Sequence, residues 1–117
     1  MSDDQKRTAK IHYSKGIIEA EIAESWKEKA IGLRGREKGA MLFDLDKSSK
    51  PQIDMILVKK KLQIIFLDQN NKVKEIIHAD PGLNFYSPEN KCSKFLETFA
   101  FTDIRPGEKL EISTRTQ

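Results

Sequence analysis

The sequence predicts a mainly β protein: a small, partly open barrel or a rolled antiparallel sheet of about eight short strands, with one short helix. Residues 53–78 carry short apolar and β-branched runs separated by polar turn residues, which is typical of consecutive antiparallel strands. These runs are too short to form long helices. A single helix-capping pattern near residue 25 predicts the helix.

One domain is predicted over residues 9–113, with flexible polar tails at residues 1–8 and 114–117. A chain of 117 residues is long enough to bury a core without disulfides or metals. The first eight residues carry neither an apolar signal-peptide region nor a membrane anchor, and Cys92 is the single cysteine, which excludes an internal disulfide. We therefore expect a cytoplasmic protein with no membrane partner.

The first elements are two strands and the helix. The strands are predicted at residues 10–14 and 17–23, joined by Ser-Lys-Gly, and in the second of them apolar residues alternate with glutamates, which indicates one solvated face. Ser25 and Glu28 then form a capping box. Three apolar residues follow at helical spacing: Trp26, Ala30 and Leu33. The helix is predicted to end near Gly32 and Gly35, since glycine accepts the left-handed conformation at a C-terminus.

The middle of the chain is predicted to contain two loops and two strands. A basic, glycine-containing loop at residues 34–39 precedes a strand at residues 40–43, and a second loop covers residues 46–51. The next strand, residues 52–58, carries apolar side chains on both faces. We therefore expect this strand to be covered on both sides.

A β-hairpin is the strongest local prediction. Residues 62–68 and 72–78 form its strands, and Gln-Asn-Asn closes it, because asparagine tolerates positive φ. Asp80-Pro81-Gly82 then turns the chain. Further strands are predicted at residues 83–86, 94–99 and 109–113, the last after an Arg-Pro-Gly turn.

The order of these segments resembles a known family. The matching residues, in chain order, are Gly32, Leu33, Arg36, Met41, Leu42, Phe43, Met55, Leu62, Ile64, Ile65, Phe66, Pro81, Tyr86, Leu96, Glu97, Ala100 and Gly107. This order is similar to that of the domain of unknown function 192 family, also called uncharacterised protein family 0127. The resemblance implies a small, mainly β, partly open barrel, and no biochemical activity is established for the family.

Several polar positions depart from the family pattern. Arg34 and Gly35 replace Met-Phe, Asp54 replaces a tryptophan, and residues 56–58 are Ile-Leu-Val in place of Lys-Asn-Thr. Gln63 ends the segment that replaces Pro-Leu-Asp, and Phe101 replaces a glycine. Most of the polar groups of a family site are therefore absent.

Arg36, Asp54, Gln63 and Glu97 are the candidate ligand-binding residues. An arginine in a glycine-containing loop can hold a carboxylate or phosphate bidentately while an acidic residue orients the ligand. The alternative, which we favour, is that Arg36 forms an ion pair with Glu97 or Asp54 and ties the loop to the sheet.

Nucleic-acid binding is a weaker alternative. The net charge is +3, and 16 of the 21 basic residues are lysines spread along the chain. Five lysines on adjoining turns and strands are the candidate contacts for phosphate groups: Lys59, Lys60, Lys61, Lys72 and Lys74. No aromatic residues are interleaved with them for base stacking. Lysines at a sheet edge also prevent pairing with other chains, so we regard nucleic acid as an unlikely partner.

The sequence indicates no catalytic residues, no metal site and no cofactor. Cys92 with His12 or His78 could form a nucleophilic pair only if the fold brings them together, and we favour an incidental thiol. The two histidines do not have the ligand spacing of a structural zinc site.

We favour a module that binds a small molecule or another protein without chemistry. Its pocket would be mainly apolar, with Arg36 or Glu97 at the mouth, and would be lined by Met41, Phe43, Met55, Phe66 and Phe85. The alternative is a hydrolase or lyase in which Glu97 is the base and Arg36 clamps an anion, and this enzyme requires a glutamate with a raised pKa in a cleft.

Overall fold

Nine strands and one helix form the part of the chain that the structure, a computed structural model, describes: residues 7–116, without the side chains of Trp26 and Thr116. In chain order they are β1 Arg7–Tyr13, β2 Gly16–Ala23, α1 Trp26–Ile31, β3 Ala40–Ser49, β4 Ile53–Asp54, β5 Leu62–Leu67, β6 Val73–Ala79, β7 Phe85–Tyr86, β8 Cys92–Thr98 and β9 Glu111–Thr116. The predicted mainly β class with one short helix is confirmed.

Seven of these strands form one sheet in the order β6-β5-β8-β3-β2-β1-β9, and β4 pairs with β7 in a small second sheet. All neighbours in the large sheet are antiparallel except β2 and β3, which run parallel. The predicted antiparallel sheet therefore contains one parallel pair. The cause is α1 and the loop after it, because a parallel pair needs a crossover connection and these residues supply it.

The large sheet curls without closing. At one corner, the backbone N–H of Val73 donates to Glu108 (2.8 Å), and that of Leu110 donates to Asn71 (2.9 Å). The rest of β6 and β9 remain unpaired with each other. The result is a rolled, partly open sheet, as predicted.

Two hydrophobic clusters cover the two faces of this sheet. Strand β5 contributes to both, since Leu62, Ile64 and Phe66 lie in one cluster while Ile65 and Leu67 lie in the other. All six residues of β5 are buried. Cover on both sides, which was expected for residues 52–58, is found instead at β5.

Residues 52–58 do not form the long strand that the sequence predicts. Only Ile53 and Asp54 are in a strand, and the Asp54 carboxylate accepts a hydrogen bond from the backbone N–H of Ile56 (3.1 Å). An aspartate that bonds the backbone two residues on creates a turn. Leu57 then has a φ of 65° and a side chain that is 72% exposed. The apolar pattern of residues 52–58 therefore does not correspond to a strand, because the chain turns at Asp54.

Strands β1, β3 and β9 are longer than predicted. Strand β3 continues through the predicted loop at 46–51 as far as Ser49, where it pairs with Cys92 after an irregularity. Arg7 pairs with Thr116 at the far end of β1 and β9, so these predicted tail residues belong to the sheet. Such pairing depends on partners far away in the sequence, which local patterns do not reveal. The other predicted tail residues, 1–6 and 117, lie outside the described residues.

The helix and the hairpin agree with their predictions. The Ser25 side chain accepts from the backbone N–H of Glu28, whose side chain accepts in turn from the N–H of Ser25, both at 3.0 Å. The helix ends at Gly32, whose φ is 54°. Asn71 in the β5–β6 turn has a φ of 64°. Within residues 7–116, no helix has the length and apolarity that crossing a membrane requires.

Candidate functional site

A pocket of about 310 Å³ lies between the C-terminal end of α1 and strands β3, β4 and β8. We call it the helix–sheet pocket. Its polar lining consists of Lys29, Arg34, Gln52, Asp54 and Glu97. Its apolar lining includes Phe43 and Phe95, whose rings stack at a centroid distance of 4.5 Å with 9° between their planes. The pocket thus combines an aromatic wall with a few polar groups, as small-molecule sites commonly do.

Glu97 is the buried acid of this pocket. It lies on β8 opposite Met41 of β3 and Ile64 of β5, both of which belong to the core. The residue is 6% exposed. Burial raises the pKa of its carboxyl to about 7, with Arg34 acting to lower it and Asp54 to raise it. None of the described residues donates a hydrogen bond to this carboxyl. Because no buried side-chain oxygen among the described residues is left without a partner, the Glu97 oxygens are accessible from the pocket.

Gly32 leaves space above the Glu97 carboxyl. A Cβ placed on this glycine would lie 3.8 Å from Glu97 Oε1 and 3.6 Å from the Phe43 ring. The φ of 54° at the helix end also favours glycine. The turn that ends α1 therefore keeps side chains away from the acid.

Arg34 makes four contacts with other groups. Its Nη1 and Nη2 bind the two Asp54 oxygens at 2.7 and 2.9 Å, its Nε donates to the carbonyl of Ala30 at 3.1 Å, and Nη1 also donates to the carbonyl of Ile56. The hydrogen bond from Arg34 lowers the pKa of Asp54. These two charges compensate each other, which leaves Glu97 as the acid without a charge partner.

The predicted partners of Arg36 are wrong. Its guanidinium binds both carboxylate oxygens of Glu21 on β2, at 2.5 and 3.2 Å, and not Asp54 or Glu97. Across the sheet, Glu21 pairs with Met41, which in turn pairs with Glu97. One strand therefore separates the two glutamates, roughly 10 Å at the usual strand spacing. Arg36 lines a smaller neighbouring pocket of about 130 Å³ together with Glu21.

Gln63 lies outside the pocket because side chains alternate along β5 and its neighbour Ile64 faces the pocket side. Its Oε1 accepts from the N–H and the hydroxyl of Thr102, both at 2.9 Å, and its Nε2 donates to the carbonyl of the same residue at 3.1 Å. Gln63 is 1% exposed. Its amide holds the segment after β8 against the sheet, which is a structural role.

The five candidate lysines do not form one patch. Lys59, Lys60 and Lys61 precede β5, whereas Lys72 and Lys74 lie at the opposite end of the β5–β6 hairpin, where Leu67 pairs with Val73. These ends are roughly 17 Å apart at about 3.4 Å per residue. Three of the lysines have partners: Glu37 for Lys60, Asp80 for Lys61 and the carbonyl of Lys91 for Lys74. The two groups of lysines are apart because one lies at the open end of the hairpin and the other at its turn.

Cys92 is buried at the start of β8, and burial raises the pKa of its thiol. A raised pKa disfavours the thiolate that nucleophilic catalysis needs. His12 and His78 are exposed on β1 and β6. Among residues 7–116, no three His, Cys, Asp or Glu side chains come together in a group that could hold a metal ion.

The residues predicted from the sequence fall in different places. Phe43 of the predicted apolar lining and the candidates Glu97 and Asp54 line the helix–sheet pocket. Met55 and Phe66 are instead fully buried in the core, and Phe85 is 57% exposed.

Arg34, Lys29 and Gln52 were missed as pocket residues. For Arg34 a signal existed, because this arginine replaces an apolar residue of the family pattern, as Asp54 does. The two departures face each other in the structure.

Comparisons with known proteins agree on the fold. A family model for the domain of unknown function 192, described as an uncharacterised ACR, matches residues 8–112. No curated protein matches the chain.

Two solved structures are similar over most of the chain. One is a protein of Sinorhizobium meliloti 1021 described as a proposed transcription regulator, with 21% identity, a TM-score of 0.79 and 95% of each chain covered. The other, of unknown function, comes from Novosphingobium aromaticivorans DSM 12444, with 22% identity, a TM-score of 0.74, 89% of this chain covered and 83% of that one. At such identities the likeness establishes the fold alone.

Proposed function

We propose that this chain, which belongs to the domain of unknown function 192 family, binds a small molecule in the helix–sheet pocket without carrying out a reaction on it. One observation carries the proposal: Glu97 is 6% exposed, faces the pocket and accepts no hydrogen bond from the described residues.

Such a carboxyl is unfavourable for the protein alone. Its oxygens open only to the pocket, and the low exposure of the residue disfavours the charged form of the carboxyl. A ligand that supplies the missing partner would recover this free energy on binding. Unpaired buried acids in clefts are for this reason candidates for functional sites.

The shape of the pocket supports the same function. A volume of about 310 Å³ falls at the lower end of the roughly 300–1,000 Å³ of small-molecule sites. The stacked rings of Phe43 and Phe95 offer an apolar surface to the body of a ligand. The ion pair between Arg34 and Asp54 holds the rim of the pocket in place.

A fragment screen by ¹H–¹⁵N NMR tests this function. We expect binding fragments to shift the amide signals of Gly32 and Glu97, and we expect Glu97→Gln to weaken this binding by about tenfold or more. Glu111→Gln is the matched control, since Glu111 is an exposed glutamate on the edge strand β9. Fragments that bind elsewhere, or that bind both variants equally, would contradict the proposal.

An enzyme is the second candidate, and the raised pKa of Glu97 favours it. A carboxyl with a pKa of about 7 suits a general base at neutral pH. The proposed anion clamp, Arg36, binds Glu21 instead, and Arg34 is engaged with Asp54. Turnover of ester or phosphoester substrates, with a rate that rises through pH 7 and disappears in Glu97→Gln, would favour the enzyme over the binding module.

Nucleic-acid binding is the third candidate and the least favoured, because the candidate lysines lie at two ends of the hairpin. The relative from S. meliloti is described as a proposed transcription regulator, which makes the test worthwhile. Gel-shift affinity for DNA or RNA should fall steeply with added salt if lysine–phosphate contacts carry it. An affinity that is absent or insensitive to salt would remove this candidate.

We also propose a cytoplasmic location. The support is a single cysteine, Cys92, that is buried and unpaired, as is usual for proteins in a reducing compartment. Fractionation of the native host, followed by immunodetection, tests this location.

A further inference from the structure

We propose that the ligand of the helix–sheet pocket is a small organic cation, a primary amine or an amidine, whose charged nitrogen binds the Glu97 carboxylate. The inference rests on the proposed function and adds the chemical class of the ligand.

The charges around Glu97 point to a cation. Three charged groups line the pocket with it: Lys29 from α1, Arg34 from the turn after the helix, and Asp54 from β4. Arg34 and Asp54 bind each other through both carboxylate oxygens. All three guanidinium nitrogens of Arg34 have acceptors, which leaves one of its five N–H groups for an anionic ligand.

Lys29 is the remaining cation of the lining. It is half-buried at the rim, where it also borders a second surface depression that Glu24 and Asp44 line. No described lysine or arginine lies within 4 Å of the Glu97 carboxyl. Charge interactions are stronger at the buried acid than at a rim in contact with water, because the effective dielectric constant is lower there. The inner part of the pocket therefore favours positive charge.

The rest of the pocket limits the size of the cation. Phe43 and Phe95 present an apolar wall next to the acid, and the absence of a Cβ at Gly32 leaves room above Oε1. A volume of about 310 Å³ suits a compact molecule with one apolar group. Benzylamine and benzamidine have this form and are cationic across the neutral pH range.

Cation binding at Glu97 should depend on pH. The carboxyl must release its proton to bind an ammonium or amidinium group, and its pKa in the empty protein is about 7. The ionised fraction rises about tenfold between pH 6 and pH 8, so the affinity should rise by about the same factor. Binding at neutral pH should release part of one proton from Glu97. Arg34 and Asp54 keep their charges over this range, since their pKa values are shifted upward and downward respectively.

Isothermal titration calorimetry with matched probes tests the inference. Benzylamine and benzamidine are compared with their neutral analogues benzyl alcohol and benzamide, and with the anion benzoate, at pH 6 and pH 8. We expect the two cations to bind about tenfold more tightly at pH 8 than at pH 6. At pH 6, where most of the Glu97 carboxyl is protonated, the binding heat should change with the ionisation enthalpy of the buffer because a proton is released. Glu97→Gln should abolish this binding and Glu111→Gln should leave it intact. If Glu97→Gln fails to fold, proton release on binding to the wild-type protein still tests whether the cation binds the Glu97 carboxylate.

The outcomes separate the ligand class from the proposed function. Preferential binding of benzyl alcohol or benzamide at pH 6 would show that the protonated carboxyl acts as a hydrogen-bond donor, and binding of benzoate would assign the site to Lys29. Either result would refute the proposal of a cationic ligand but would still be consistent with small-molecule binding in the pocket. If none of the five probes binds at about 10 mM, where a Kd of about 1 mM is readily detected, the proposal of a cationic ligand is refuted. The fragment screen then decides independently whether the pocket binds anything.

Discussion

Replacing Glu97 with glutamine should stabilise the protein, and the gain should increase with pH. The folded protein retains the Glu97 proton up to about pH 7, whereas an ordinary glutamate releases it near pH 4.5. A group whose pKa is higher in the folded state loses its stabilising proton as the pH rises. Wild-type protein therefore loses stability between these two pH values, and the loss is complete above the upper one.

The size of this effect follows from the two pKa values. They differ by about 2.5 pH units, and each unit corresponds to about 1.4 kcal/mol. We therefore expect the free energy of unfolding of Glu97→Gln, relative to wild type, to rise by about 2–3 kcal/mol between pH 5 and pH 8. The glutamine is nearly the same size and does not ionise, so groups that titrate in both proteins cancel in the comparison.

Urea denaturation at pH 5, 6, 7 and 8 measures this difference. Glu111→Gln is the control, because Glu111 is exposed and its replacement should have little effect at any of these pH values. A difference between Glu97→Gln and wild type that stays constant from pH 5 to pH 8 would refute the argument. Glu97 would then ionise as freely in the folded protein as in the unfolded chain.

Three further predictions concern the residues around the pocket and the core. Replacing Arg34 with methionine should destabilise the protein by about 1 kcal/mol, because the pair is only partly buried. It should also raise the pKa of Glu97, measured by ¹³C NMR of the carboxyl, whereas Arg36→Met should leave that pKa unchanged. Gln63→Ala should cost about 2–3 kcal/mol, since it removes the three hydrogen bonds that a buried amide makes with Thr102, and amide hydrogen exchange after β8 should speed up. Leu57→Asn should stabilise by about 0.5–1 kcal/mol, since asparagine tolerates a φ of 65° better than leucine does, and a drop in the melting temperature would contradict this.

Local signals were enough to predict the helix and the hairpin. The capping box of Ser25 and Glu28 and the positive φ at Asn71 both depend on residues within five positions of each other. The parallel pairing of β2 with β3 and the length of β9 depend on partners more than ten residues away. Periodicity identifies which segments form strands, but it does not identify their neighbours.

The same limit applies to the candidate site. Two of the candidate residues, Glu97 and Asp54, line the helix–sheet pocket, although the strand predicted around Asp54 is only two residues long. The predicted arginine partner of Asp54 or Glu97 was Arg36, whereas in the structure Arg34 binds Asp54 and Arg36 binds Glu21. Backbone bonds within the turn after α1, from the N–H of Arg34 to Ile31 and of Arg36 to Leu33, direct the two arginines to different strands. Nothing in the composition of that turn indicates which arginine meets which acid.

Arg34 and Asp54, which both differ from the family pattern, contact each other in the structure and so act as one paired replacement. The family pattern has methionine and tryptophan at these positions, two apolar residues, and this chain has an ion pair between them. A single replacement would leave either an arginine or an aspartate without its partner at a half-buried position, which is unfavourable. Because the pair is neutral as a whole, the exchange changes the rim of the pocket from apolar to polar without compensating the charge of Glu97. The acid that the family pattern retains is therefore the group on which the proposed binding depends.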